Sequence, residues 1–511
     1  MAFSRHSRRV VLRAAFFTFV AATLAVPQSD EFLQKSSRGK ELMAQGQFEE
    51  AIPIYRDLVR AIPNNPGLLL NLAMAEEMAG HPAQAIPDFE TVLKAQPDSV
   101  PALTSLSMAR LQLNQPAEAF APLKKLIALT PNDANARGML AAAEMSLGRF
   151  NEAAEQYRRL TSLTPSDPKA WHGLGKAYEA LAASSFERLV KAAPESGFVA
   201  FLVAETRLQR RQYRSAFFFY REAEKTLPGL PGLHRGLADV YSKTGHPDWA
   251  GTESKRETEL PVPDCKTQPE ACQFARGDFL ALVKAATPTS SPSSLFWAAR
   301  AYNELALSAF DRLGHLPDSP EMHVLKAQIL HDHGQDLDAA SEWRAALAMS
   351  PEKNDVRLRT EVATSLFLAH DYQSAMPMIE ELLATDPASP DLNFMFGESL
   401  WRTQQSEKAI PYLENALRRS PGMLPAHAAL GLALVSLNRS EQAIPHLEKA
   451  VSLDDDGSLH YSLARAYQSV GDKDRAHRNL EEYERIQRQN AEVNGDLAKE
   501  AEITAPGPKM N

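Results

Sequence analysis

In the stretch "HDHG", His331 and His333 stand either side of Asp332. Imidazole and carboxylate that close are the raw material of metal ligation or general-base chemistry. The spacing argues against both, because residues two apart on a helix do not face one site. They read as surface groups at a helix end, where imidazolium suits the helix dipole. His234, His323, His427 and His460 occupy equivalent places along the chain. Trp171 and Leu103 hold that place elsewhere, so these histidines read as packing residues. "GLGKAY" from Gly173 lacks both the glycine spacing and the preceding strand of a phosphate loop. The sequence holds no intact nucleophile elbow, dinucleotide turn or zinc motif. No catalytic residue, metal ligand or cofactor is therefore assigned.

The only cysteines, Cys265 and Cys272, lie in a stretch rich in Pro, Ser and Thr. A close, even pair in an exported chain reads as a disulfide, with two free thiols as the alternative. Two thiols without a nearby histidine cluster do not make a metal site.

The elements that carry these residues are repeated. Ala51, Ala85, Ala119 and Ala153 are 34 residues apart, each after Glu or Gln. Pro63, Pro97, Pro131 and Pro165 keep the same period, and Gly46, Gly80, Asn114 and Gly148 mark a turn in the same copies. Ala216 and Ala250 continue it, as do Ala375, Ala409 and Ala443. Leu103, Leu106 and Arg110, then Ala119, Leu123 and Leu126, recur at helical spacing, so each unit reads as two helices. Pro53, Pro87, Pro377, Pro411 and Pro445 read as lying near the start of the second helix, where a missing N–H costs least.

Trp171, Leu174, Gly175 and Tyr178 on one helix, with small, aromatic and Pro landmarks such as Ala153, Tyr157 and Pro165, resemble the tetratricopeptide repeat (TPR) family over most of the chain. The resemblance implies an all-α, right-handed superhelical solenoid of antiparallel helix hairpins. Two stretches depart from the pattern. In 176–196 and 300–319 only eight residues separate Tyr178 from Phe186 and Tyr302 from Phe310, against thirteen from Leu42 to Tyr55 in a regular unit. The two helices of each are expected to fuse or kink. The expected organisation is an array at 32–257, an irregular linker with the Cys pair and a short helical pair at 258–294, a second array at 295–490, and a disordered tail at 491–511.

Residues 1–26 read as a secretory signal peptide. Arg5, Arg8, Arg9 and Arg13 precede an apolar run from Ala14 to Val26 that is too short to span a bilayer comfortably. An uncleaved anchor and a buried helix are the alternatives. Ser7 to Arg13 resembles the twin-arginine signal, while the three Phe of the apolar run resemble the general route, so the route stays open. The expected location is outside the cytoplasm, periplasmic or secreted.

In the TPR family the first helices line a concave face. That implies a partner-binding ribbon of Phe367, Phe394, Trp401, Leu432, Val435 and Tyr461, and a second of Leu70, Met74, Met108, Leu111 and Met145; burial against adjacent repeats is the alternative. Asn71 is present, but no matching Lys and Asn set for holding a carboxylate accompanies it. A net charge of -9 excludes a general nucleic-acid binder. The expected function is a non-enzymatic scaffold for proteins or peptides in a bacterial envelope, with membrane contact only through the N-terminal segment. The alternatives are an accessory subunit of an envelope enzyme or of a cytochrome-maturation or polymer-export machine, and an unrecognised enzyme.

Overall fold

The computed structural model describes residues 28–286, 291–352, 354–500 and 502–507. The leader at 1–26 lies outside them. All elements among the described residues are helices, with no strand. No described helix is long and apolar enough to cross a membrane. The chain divides between Met139 and Leu140 into two compact units.

The first unit holds α1 (Gln28–Ala44), α2 (Phe48–Ala61), α3 (Pro66–Met78), α4 (Pro82–Ala95), α5 (Val100–Gln112) and α6 (Pro116–Leu129), followed by α7 (Ala134–Ser146). On each second helix one stripe at i, i+4 and i+7 is buried: Ala51, Tyr55 and Leu58; Ala85, Phe89 and Val92; Ala119, Leu123 and Leu126. The small residue lets the neighbouring backbone approach, and the larger two fill the seam. Each first helix ends in a Schellman turn, in which the amide of Gln47 returns to the Leu42 carbonyl at 2.9 Å and that of His81 to Glu76 at 2.8 Å. The turn needs a left-handed residue, supplied by Gly46 (φ 74) and Gly80 (φ 87). That requirement is why glycine marks the turn in most early copies, with Asn114 (φ 55) taking the same conformation in another.

The five prolines fall deeper than expected. Pro53, Pro87, Pro377, Pro411 and Pro445 are each the sixth residue of their helix, past the first turn. Each therefore removes an intrahelical hydrogen bond. All five are exposed, so water can serve the freed carbonyl.

The second unit begins within α7 and continues with α8 (Phe150–Leu163), α9 (Pro168–Ala192), α10 (Gly197–Gln209), α11 (Tyr213–Thr226), α12 (Leu233–Lys243), α13 (Pro247–Glu259), α14 (Pro269–Ala275), α15 (Phe279–Ala286) and α16 (Pro292–Gly314). Regular hairpins follow: α17 (Pro320–Asp332) with α18 (Asp336–Met349), α19 (Val356–Leu368) with α20 (Tyr372–Thr385), and α21 (Pro390–Arg402) with α22 (Ser406–Arg419). The last two are α23 (Leu424–Ser436) with α24 (Ser440–Ala450), and α25 (Ser458–Ser469) with α26 (Lys473–Glu500).

Both irregular stretches run through as single helices, and they pair with each other. α9 and α16 lie antiparallel, with Tyr178 stacked on Tyr302 at 6.2 Å. In a regular unit a first-helix glycine receives a second-helix side chain sixteen residues on, as Gly397 receives Leu413 and Gly431 receives Leu447. Gly175 receives Phe310 instead. The second half of α16 thus completes the hairpin that α9 begins, and Leu313 goes on to pack with Met322 and Leu325 of α17. The first half of α16 packs beside α10 and α15, so α10–α15 form a closed excursion. At its centre Arg300 is only 2% exposed. Its guanidinium lies over Phe201, Phe274, Phe296 and Trp297, and donates to the Pro231 carbonyl at 2.9 Å and to Glu205 at 3.2 Å.

Two expected boundaries change accordingly. The stretch 258–294 does not separate two arrays: Ala271, Leu282 and Val283 are buried in the core shared by α9–α16, and Cys272 is buried as well. Its residues 287–290 lie outside the described residues. Cys265 and Cys272 are joined as a disulfide within it. Nor is the described part of 491–511 without structure, since α26 continues to Glu500 and 502–507 lie against α11–α13.

The α9–α16 pairing makes Gly175→Ala diagnostic. At an open helix position that change stabilises by about 1 kcal/mol. Here the added β-carbon would sit 2.2 Å from the Phe310 ring. The expected outcome in chemical denaturation is a loss of about 1–3 kcal/mol, mostly recovered when Phe310→Leu is added.

Candidate functional site

The ribbon expected in the later hairpins is half open. Phe367, Phe394, Trp401, Leu432 and Val435 are half-buried against the core of α17–α25, and Tyr461 is 44% exposed. Phe367 and Phe394 meet edge to face at 5.9 Å. Arg402 lies over Trp401 at 4.4 Å and is held there by Glu398 at 3.2 Å. Tyr461 lies 5.2 Å from Tyr483 of α26, so the last helix shields one side of its ring. In the first unit Leu70, Met74 and Leu111 are half-buried and Met108 is 38% exposed. Met145 belongs to the second unit, where it packs half-buried against the core shared by α9–α16.

A polar cleft lies between the α10–α11 turn and the α17–α18 turn. It has a volume of about 640 Å³ and joins a second hollow of about 430 Å³ through Gln209, Arg210, Asp332, His333 and Gln335. His331 and His333 both line it as exposed groups at the end of α17, where the sequence reading placed them. His331 pairs with Asp336 at 2.7 Å, His333 with Glu179 at 2.9 Å, and Lys176 with both Glu179 (2.7 Å) and Asp332 (3.0 Å). Burial works to raise the Glu179 carboxyl, but His333 and Lys176 outweigh it and hold the group below its ordinary range. These charges are mutually satisfied, which makes the cleft a polar seam. No group of three or more His, Cys, Asp or Glu among the described residues could hold a metal ion.

The recurring histidines do more than pack. The first-helix side chain at this place bonds to the loop six residues before: Trp171 to Pro165 O at 2.8 Å, Asn393 to Pro387 O at 2.9 Å, His427 to Pro421 O at 3.0 Å, and His460 to Asp454 at 2.6 Å. Three of the histidines also reach the second helix nineteen residues on, as His234 does to Glu253 (2.6 Å), His323 to Glu342 (2.5 Å) and His427 to His446 (2.8 Å). Those two spacings were open to inspection in the sequence.

The geometry fits what sequence profiles return. A tetratricopeptide repeat profile matches residues 42–111 and a TPR repeat profile matches 141–181. A third, described as anaphase-promoting complex, cyclosome, subunit 3, matches 369–450. The chain is a tetratricopeptide-repeat protein. No curated protein matches it in sequence.

Among solved structures, a crystal structure of MamA protein is 27% identical over 30% of this TPR protein and 82% of that chain, with a TM-score of 0.29. MamA from Desulfovibrio magneticus RS-1 is 23% identical over 34% and 97%, with a TM-score of 0.30. YrrB, described as a TPR protein with an unusual peptide-binding site, is 19% identical over 35% and 90%, with a TM-score of 0.29. The hairpin array of this TPR protein is a scaffold for protein–protein interaction.

The bridge from His234 makes stability depend on pH. Glu253 is fully buried and also takes Arg256 at 2.9 Å. Burial disfavours the imidazolium, but Glu253, with Glu224 and Glu257 nearby, raises His234 above its ordinary 6.5. A raised folded value means the contribution is fully present below the ordinary value and is lost as pH rises through the folded one. The denaturation midpoint of the unaltered chain, relative to that of His234→Gln, is therefore expected to fall as pH rises above the ordinary value of 6.5. A pH-independent difference would contradict the pairing.

Proposed function

We propose that this TPR protein is an exported, non-enzymatic scaffold that holds extended or helical segments of other proteins along Phe367, Phe394, Trp401, Leu432, Val435 and Tyr461. The observation that carries the reading is the half-burial of Phe367, Phe394, Trp401, Leu432 and Val435 beside the exposed Tyr461. One side of each is fixed by the core while the other stays open, so binding costs little side-chain ordering. Aromatic rings held in this way supply most of the energy at protein interfaces. Arg402 over Trp401 adds a cation that can meet a carboxylate of the partner. The mechanism is adhesion to a preformed surface, with no bond made or broken.

Export is supported by the basic and apolar leader and by a disulfide, a bond that persists in oxidising compartments. Leu70, Met74, Met108 and Leu111 supply a second, more adaptable surface in the first unit, and Met145 a like one in the second.

Crosslinking in the native cell, followed by identification of the captured proteins, tests the main ribbon. Phe394→Ala and Trp401→Ala are each expected to reduce recovery of a captured partner about tenfold. Undiminished recovery of every partner with both variants would overturn the assignment.

A further inference from the structure

After α26 the chain reads "EITAPG" at 502–507, one branched apolar residue followed by Pro and Gly. Among them 502 is a bend and 503–507 have no regular secondary structure. They lie against α11, the end of α12 and α13, near Arg221, Tyr241 and Arg256. Ile503 packs on the core of α9–α16. The Tyr241 hydroxyl donates to the Thr504 carbonyl at 2.7 Å, and the Arg256 guanidinium donates to the Gly507 carbonyl. Both donors are held in advance. Tyr241 is wedged between Phe217 at 5.7 Å and Trp249 at 5.6 Å. Arg256 is fixed by Glu253, which is fixed in turn by His234.

This is how a site reads a peptide. Hydrogen bonds go to main-chain carbonyls, which every sequence offers, while an apolar anchor selects one side chain. Pro506 narrows the backbone to the extended form and so lowers the ordering cost. The hold is light, because Thr504 and Ala505 are exposed and only Ile503, Pro506 and Gly507 are half-covered. A segment held by so few contacts opens readily.

We propose that the α11–α13 surface is a binding site for an extended peptide of the Ile-x-Ala-Pro type, and that residues 502–507 occupy it in cis as a tethered, exchangeable ligand. The site shares no residue with the aromatic ribbon and does not depend on that reading. A tether raises the local concentration of its ligand to the millimolar range, so an outside peptide of equal chemistry competes poorly until the tail is released.

The test uses the full chain and a fluorophore-labelled Glu-Ile-Thr-Ala-Pro-Gly peptide, read by anisotropy. Ile503→Asp, which ejects the tail without touching that surface, is expected to bind the peptide at least tenfold more tightly than the unaltered chain does. Adding Tyr241→Phe, which removes one hydroxyl and keeps the ring, is expected to weaken that binding about tenfold. A peptide with Asp in place of Ile is expected not to bind. If Ile503→Asp keeps its helical circular dichroism yet binds the peptide no better than the unaltered chain, or does not bind it, the tail is a packing element only and the proposal falls.

Discussion

Residues 168–192 and 292–314 each form one helix where the repeat elsewhere forms two. Neither can cover its apolar stripe with a second helix of its own, because the turn that would reverse the chain is missing. An uncovered stripe on a hairpin unit is unstable, since such units are held by their neighbours. The two helices solve the problem together. Phe310 settles on Gly175, Tyr302 stacks on Tyr178, and each helix completes the hairpin that the other begins.

Much of the second unit follows from that exchange. The stacking runs from α8 through α9 to α17 without interruption in kind, while α10–α15 are carried aside and return through α16. The excursion closes around Arg300, a cation removed from water and stabilised by four aromatic faces, a carbonyl and Glu205. It also creates surfaces that a plain repeat array lacks: the polar cleft lined by Arg210 and His333, and the face against which residues 502–507 lie. The aromatic ribbon of the later hairpins rests on the regular repeat alone.

The repeat was legible because it is written locally. Ala51, Tyr55 and Leu58 fall on one helical stripe, and Gly46 marks a turn that needs a left-handed residue, so composition and spacing state the same hairpin twice. The two breaks were legible too, as a shortened gap before Phe186 and Phe310. What could not be read was the partner. The contact between Gly175 and Phe310 joins distant parts of the chain, and nothing local to either residue names the other. The same limit explains the tail. "ITAPG" reads as unordered until Tyr241 and Arg256, far away in sequence, are known to bond to Thr504 and Gly507. His331 and His333 were legible as surface groups at a helix end, and only their distant partner Glu179 was not. The ribbon was chosen by helical register from the resemblance, and the half-burial of Phe367, Phe394 and Trp401 is compatible with that choice without identifying what binds there.

Zero-length carbodiimide crosslinking of the full chain, read by peptide mass spectrometry, tests most directly the placing of α9 against α17 that the exchanged hairpin requires. Lys169 lies 2.7 Å from Glu321, and Lys176 lies 3.0 Å from Asp332. Amide bonds joining these two pairs are expected as major products. Crosslinks from both lysines only to acids within residues 150–196 would show that α9 is covered by its sequence neighbours, and would contradict the exchanged hairpin.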